Sequence, residues 1–333
     1  MTENVLHDQF QRRITYLRMS VTDRCNYRCT YCMPEEGLKA LGRYELLTFE
    51  ELVTIARVFV REGIQKIRIT GGEPLLRRDL HLLLQKISAL PGLHDLCLTT
   101  NGHLLEERVE QLAQAGLQRI NVSLDSLQPE KFKSITRGGD LHKVLRGLEK
   151  AAQVMPGRVK LNVVVSHRFN DDEVLDFARV TIDPGYTVRF IEQMPMSAMA
   201  PWERGEVLSV VEIRQQIEQT FGLEPVHENG VLSGPASRFR LPGAKGEIGF
   251  IGAVTDEFCA RCNRIRLTPD GRLRGCLMAD GELDLKEAIR TGHDHEESVR
   301  NVLHQVLRTK PDRHYINETY FIRPLRTMSQ IGG

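Results

Sequence analysis

The stretch Lys66-Ile67-Arg68-Ile69-Thr70-Gly71-Gly72-Glu73-Pro74 reads as a short β-strand running straight into a glycine turn. Ile67 and Ile69 alternate with Lys66, Arg68 and Thr70, so one face is apolar and the other polar. A strand buried on both faces is uniformly apolar, so the charged face is expected to line a polar interior or cleft. Gly71 and Gly72 let a ligand approach the backbone closely. Glu73 adds a carboxylate able to accept from an ammonium group.

Working outward, further strand-like runs lie at residues 17–21, 95–99, 119–124, 160–165 and 187–191. Amphipathic helical stretches at 49–61, 80–90, 104–115, 141–154 and 171–180 separate them. Gly63, Pro91-Gly92, Gly116, Pro156-Gly157 and Pro184-Gly185 punctuate the units. Alternating strands and helices imply a parallel sheet with right-handed crossovers. An eight-fold barrel takes about 250 residues, but the six units here are too few to close one. The expected fold is therefore α/β over residues 1–194: either an open sheet, or a partial (β/α)6 TIM-like barrel whose open side something else covers. After it the rhythm changes. Met, Pro and Gly cluster at 194–205, a helical stretch covers 211–221, and Gly/Pro-rich β-type runs follow. Residues 195–333 read as an irregular α+β region covering the open side.

The 45 basic and 44 acidic side chains leave a formal net charge of +1, which gives no global field for a nucleic acid. Any anion site must be a local pocket. No apolar run approaches the 18 or so residues of a membrane span, and residues 1–13 carry no secretion-type apolar stretch. A cytoplasmic protein is expected, with no membrane and no nucleic acid among its partners.

Six of the seven cysteines fall into two tight groups, which in a reducing compartment points to metal rather than disulfides. Cys25-x3-Cys29-x2-Cys32 follows the first strand, at the end where parallel sheets collect ligands. Three thiolates cap three corners of a cubic iron–sulfur cluster and leave one iron open; a zinc knuckle or three core cysteines is the alternative. Cys259-x2-Cys262-x13-Cys276 suits zinc as readily as iron, with His293 or His295 as a fourth ligand. Those histidines sit in a charged stretch that reads more simply as solvated surface. Cys97, within a strand, reads as a small buried hydrophobe. Arg264 and Arg266, two apart on an extended segment, point the same way and suit phosphate oxygens, as do Lys66, Arg68 and Lys160.

Cys-x3-Cys-x-Tyr-Cys with the later Gly-Gly-Glu-Pro resembles the radical S-adenosylmethionine superfamily. The two triads, Arg18-Met19-Ser20-Val21-Thr22-Asp23-Arg24-Cys25, Thr99-Thr100-Asn101-Gly102, Asn121-Val122-Ser123-Leu124-Asp125 and Gly332-Gly333 resemble the GTP 3′,8-cyclase family of molybdenum cofactor biosynthesis over nearly the whole chain. The resemblance implies two 4Fe–4S clusters, on Cys25, Cys29 and Cys32 and on Cys259, Cys262 and Cys276, with S-adenosylmethionine as cofactor. Reductive cleavage of that cofactor would give a 5′-deoxyadenosyl radical that takes the 3′ hydrogen of GTP, and the sugar radical would attack C8. It implies cofactor contacts at Tyr31, Gly72, Glu73, Ser123, Arg189 and Met194. GTP contacts are implied at Arg18, Lys66, Arg68, Thr99, Lys160, Arg264, Ile265 and Arg266, with Arg264 and Arg266 also in the reaction. The Gly-Gly tail would enter the active site. A one-electron donor protein and the next enzyme of the pathway are the implied partners, for a monomer or homodimer. The other readings are a radical S-adenosylmethionine enzyme acting on a peptide or another small molecule through an auxiliary cluster, an iron–sulfur electron carrier, or a zinc-binding interaction protein.

Overall fold

The strands expected from alternation all form, and each offers its apolar residues to one side. In the computed structural model, which describes residues 5–196, 202–226 and 234–332, they are β1 (Tyr16–Ser20), β2 (Lys66–Thr70), β3 (Asp95–Thr100), β4 (Arg119–Ser123), β5 (Val159–Val165) and β6 (Thr187–Glu192). Residues 197–201, inside the Met-, Pro- and Gly-rich stretch, and Gly333 of the Gly-Gly tail lie outside the described residues. The six strands pair in parallel in chain order.

The region after residue 195 joins this sheet, where a cover was expected. It supplies β7 (Glu224–Pro225), β8 (Ser237–Arg240), β9 (Ile248–Ile251), β10 (Arg264–Leu267), β11 (Arg272–Arg274) and β12 (Glu282–Asp284). β10 lies parallel against β1 and β9 parallel against β6, so the six-strand run is extended by one strand at each edge. Antiparallel hairpin partners, β11 with β12 and β8 with β7, lie outside them. The order is β12-β11-β10-β1-β2-β3-β4-β5-β6-β9-β8-β7. Arg264-Ile265-Arg266-Leu267 has the same polar–apolar alternation as β2, which is why it fits beside β1.

Leu17, Met19, Ile67, Ile69, Leu161 and Phe190 are fully buried on the outer face of the sheet. The amphipathic helices α1 (Phe49–Glu62), α2 (Leu80–Ser88) and α3 (Leu105–Gln114) bring their own buried leucines, valines and isoleucines to the same core. Thr48 and Glu51 form a capping box at the start of α1, and Gly63 ends it at φ 119°. One helix between β4 and β5 stands beyond the sequence reading: α4 (Pro129–Thr136), which begins with proline at its first position and precedes the expected α5 (Leu141–Val154). The stretch expected as a helix over 171–180 divides into a 3₁₀ turn, Asp171–Glu173, and α6 (Val174–Arg179). There Glu173 turns inward to accept from Ser126 Oγ at 2.8 Å and Leu127 N at 2.7 Å.

α7 (Val210–Phe221), α8 (Leu285–Thr291) and α9 (His295–Thr309) complete the outer layer. His293 and His295 are exposed at the start of α9, whose N-cap Asp294 accepts from Glu297 N at 3.0 Å. Among the described residues, no helix is long and apolar enough to cross a membrane.

Glu192 ties the two parts of the chain. Fully buried at the end of β6, it accepts from Val210 N (2.9 Å), Val254 N (2.7 Å), Thr255 N (2.9 Å) and the Thr255 hydroxyl. Glu192→Ala is expected to strand those donors and lower stability by about 3 kcal/mol, read by denaturant unfolding, with Glu192→Gln losing less.

Candidate active site

The loop after β1 carries the first cysteine triad, and backbone bonds hold it on three sides. Gly72 N donates to Thr22 O and Glu73 N to Arg24 O, both at 2.7 Å. Arg28 N and Thr30 N donate to Thr136 O and Ile135 O, both at 3.0 Å, so the unforeseen α4 is the loop's second support. Arg137 adds bonds to Arg28 O and Met33 O at 3.2 and 3.1 Å. Gly72 has no room for a side chain: a Cβ there would meet Arg24 O at 2.4 Å and Asp23 O at 2.6 Å.

Tyr27 N donates to Cys25 Sγ at 3.4 Å, and Asn101 Nδ2 lies 3.9 Å from the same sulfur. Tyr31 donates to Asp125 Oδ2 at 2.6 Å, while Val164 N holds the other oxygen of Asp125 at 2.8 Å. Burial pushes the Asp125 carboxyl up to about 6. Glu73 is spent internally, accepting from Thr100 Oγ1 (2.7 Å), Asn101 N (2.7 Å) and Leu75 N (3.0 Å), and burial raises it to about 7.

The second triad sits at the other end of the strands. Cys259 and Cys262 bracket a 3₁₀ turn just before β10, and Cys276 follows β11, which runs antiparallel to β10. All six cysteines line one cavity of about 310 Å³. It runs the depth of the sheet along the inner face, between the C-terminal strand ends and the N-terminal ones. A closed barrel fills this space with layers of side chains. Here the inner wall is polar: Arg18, Lys66, Arg68, Arg189, Arg264 and Arg266 all reach it. Buried oxygens of Thr70, Asn121 and Asn162 on the same wall have no hydrogen-bond partner, which suits a polar occupant.

The thiols also fit a cationic occupant. Burial pushes Cys25 up to about 11 and Cys32 to about 12, and holds Cys29 well above the ordinary thiol range, with neighbouring cysteines adding to the effect at Cys29 and Cys32. Such a group becomes a set of thiolates when iron supplies the positive charge. At Cys262, burial is outweighed by Arg264 and Lys310, and the thiol falls to about 6. Lys310, itself buried, lies 3.6 Å from Cys262 Sγ and donates to Arg264 O at 3.0 Å. His314 is buried on the cavity wall with neither ring nitrogen hydrogen-bonded, and a ring nitrogen, the Cys259 sulfur and a Glu257 carboxylate oxygen lie within 4.8 Å of one another.

Residues 19–180 match the model of the radical SAM superfamily, and residues 186–316 match that of Molybdenum Cofactor Synthesis C. A GTP 3′,8-cyclase of Alkaliphilus metalliredigens is 45% identical over 328 residues, covering 98% of this chain and 100% of that protein. One from Syntrophomonas wolfei is 44% identical over 326 residues, covering 98% and 99%. The chain belongs to the GTP 3′,8-cyclase family. It is accordingly a radical S-adenosylmethionine enzyme of molybdenum cofactor synthesis, working with a 4Fe–4S cluster and S-adenosylmethionine. The solved structure of Streptococcus suis SuiB bound to S-adenosylmethionine shares the fold at a TM-score of 0.62 and 15% identity. It aligns over 86% of this chain, which spans 65% of SuiB, just under two-thirds.

For this family member, the structure gathers most residues expected from sequence. Tyr31, Gly72, Ser123, Arg189, Met194, Arg18, Lys66, Arg68, Thr99, Arg264 and Arg266 line the cavity with both triads. Glu73 lies behind the Gly-Gly turn, where its carboxylate fixes Asn101 and the turn itself. Lys160 stands on the inner side of β5 without reaching the cavity lining, held down to about 7 by burial and by Arg189. Ile265 is fully buried on the outer face, because the residue between two inward arginines must point outward. His293 and His295 are not at the second triad; His314 is the histidine beside it. Gly332 of the Gly-Gly tail accepts from Arg266 at 3.0 Å, and a Cβ there would meet Thr70 and Ser20. Asp125, Asn101, Lys310 and His314 carry structural or electrostatic parts that spacing did not single out.

Gly72→Ala is expected to displace the Cys25 loop and cut S-adenosylmethionine cleavage roughly a hundredfold, measured as 5′-deoxyadenosine release. Iron at the second triad should persist, seen as iron per chain.

Proposed function

We propose that Cys25, Cys29 and Cys32 hold the cluster that engages S-adenosylmethionine, and that Cys259, Cys262 and Cys276 hold a second 4Fe–4S cluster facing GTP. The observation that carries this is one cavity with a thiol triad at each end and a cationic wall between. Bound there, the first cluster would supply the electron that splits S-adenosylmethionine; the 3′ hydrogen of GTP would then be taken, and closure onto C8 with one further electron and a proton would leave (8S)-3′,8-cyclo-7,8-dihydroguanosine 5′-triphosphate.

The chain's own side chains bind and orient. Tyr31, Gly72, Ser123 and Met194 surround the cofactor near the first triad, with Tyr31 fixed by Asp125. Glu73 acts through the turn it braces. A triphosphate carries about four negative charges, and desolvating it requires paired cations. Arg18, Lys66 and Arg68 offer them, with Lys160; Arg189, close enough to Lys160 to share its field, stands with the cofactor contacts. Arg264 and Arg266 leave β10 on the inner face beside the second triad, where the nucleotide's base end would lie. Lys310 holds Cys262 ready to deprotonate and pins Arg264 through its carbonyl. Electrons come from a donor protein, and the product passes to the next enzyme of the pathway.

Anaerobic reconstitution tests the proposal: the protein should hold about eight irons per chain. Given reductant, S-adenosylmethionine and GTP, it should release 5′-deoxyadenosine and a cyclised nucleotide identified by mass spectrometry. Cys259→Ser should lose about half the iron and the nucleotide product while retaining 5′-deoxyadenosine release. Zinc in the second triad would refute the two-cluster assignment. Arg264→Ala should weaken GTP binding by roughly tenfold or more and leave cofactor cleavage intact. Unchanged GTP affinity would remove Arg264 from the nucleotide subsite.

A further inference from the structure

The inner face of the sheet concentrates positive charge. Around the N-terminal ends of β1 and β2, Arg18, Lys66 and Arg68 converge on one phenol, that of Tyr16. The Arg68 Nε–H donates to the Tyr16 oxygen, and Arg18 shares a side-chain hydrogen bond with it. The Lys66 ammonium stands 4.9 Å from the centre of the Tyr16 ring, and the Arg68 guanidinium 5.9 Å. Arg68 is steered by further bonds to Leu98 O and Thr99 Oγ1, both at 3.3 Å.

The carboxylate on this floor, Asp95 of β3, is already committed. It pairs with Lys66 at 3.1 Å, accepts from Arg119 Nε at 3.0 Å, and takes the Cys97 thiol at 2.9 Å. Other groups bearing on Tyr16 are cationic: Arg264, its register partner on β10, with Arg266 of the same strand, Arg119 of β4 and Arg189 of β6. The Cys97 thiol is the remaining acidic neighbour. Tyr16 itself is buried and lines the cavity.

We infer that Tyr16 is an exchangeable counter-anion of the triphosphate subsite: its phenolate balances Arg18, Lys66 and Arg68 before a nucleotide arrives, and a bound triphosphate takes over that charge as the phenol gains a proton. The inference rests on the reading of this cavity as the triphosphate site. Burial alone raises a phenol, but here the three cations outweigh burial and hold Tyr16 at about 7. The balance is simple. No covalent bond changes except O–H; one proton from solvent joins the phenolate, and the triphosphate oxygens replace it as partner of the guanidinium groups. Below about pH 7 the phenol is already neutral and no uptake is needed. Above it, each binding event must draw a proton, so affinity falls as pH rises. Lys66 and Lys160, lowered to about 8 and about 7 by burial, also draw protons in the same direction. A variant confined to Tyr16 separates its share.

The test uses the anaerobically reconstituted full chain with inorganic tripolyphosphate as probe, which has no ultraviolet chromophore. Near pH 8, wild type should lose tyrosinate absorbance on adding tripolyphosphate. Calorimetry in two buffers of different ionisation heat should show about one proton more taken up than by Tyr16→Phe. Tyr16→Phe should bind tripolyphosphate more tightly than wild type at high pH, with the gap widening up to about tenfold per pH unit. Tyr16→Asp, which stays anionic, should bind more weakly than both. Equal proton uptake in wild type and Tyr16→Phe, or no change in tyrosinate signal when wild type binds, overturns the role of Tyr16. If Tyr16→Phe fails to fold, the tyrosinate signal of wild type decides alone. Failure of tripolyphosphate to compete with GTP overturns instead the placement of the triphosphate on this wall.

Discussion

A side-chain period of two, imposed on a curled parallel sheet, governs this molecule. Each strand must give one residue to the helices and the next to the cavity. Leu17, Ile67, Leu161 and Ile265 are fully or almost fully buried on the outer face, while Arg18, Arg68, Asn162 and Arg266 face the inside one step later. Because the parallel register is fixed from β10 across β1 to β6, slipping any strand by one residue would bury its cations among leucines and open the core. The hydrophobic layer therefore sets where the charges stand. The cavity is a by-product of that register and of a curl that is not filled by side chains.

The cysteine loops depend on the same frame for a different reason. A loop carrying three partly buried thiols gains nothing from packing them together, since burial and mutual repulsion oppose their ionisation. Its shape is kept by backbone bonds to Gly72, Glu73, Ile135 and Thr136. Those partners belong to the β2 turn and to α4, elements that are complete without metal. The loop is thus held by the fold and charged by its ligand.

Much of this was legible in the sequence. The six strand–helix units show in their alternation and turn residues, and both triads show in their spacing. What stayed hidden involves contacts between distant segments. Nothing in Arg264-Ile265-Arg266-Leu267 says that it will lie against β1, and so nothing says that Ile265 is turned away from the site. Glu73 looks available in the sequence because its acceptors are filled by Thr100, Asn101 and Leu75, two of them nearly thirty residues on. His314 and His293 are equally plausible ligands by composition; only the path of α9 leaves one exposed and the other beside Cys259. Tyr16 reads as an ordinary strand aromatic until the arginines of neighbouring strands surround it. The pairing of Asp294 with Glu297 at the α9 start was a readable cap, obscured by its charged company.

The seating of β10 against β1 has a consequence for how the protein is made. Arg12 donates to Cys259 O, Pro311 O and Asp312 O, so the second triad is framed by segments about 300 residues apart in sequence. At ribosomal rates of roughly 5–20 residues per second, more than ten seconds separate the appearance of Cys32 from that of Cys259. Residues Pro311 and Asp312 come later still. The first triad can therefore meet iron on a growing chain, whereas the second has no frame until Asp312 has been made. The two halves of the cavity mature in sequence, and the edge of β1 waits, unpaired and exposed to other strands, until its partner arrives.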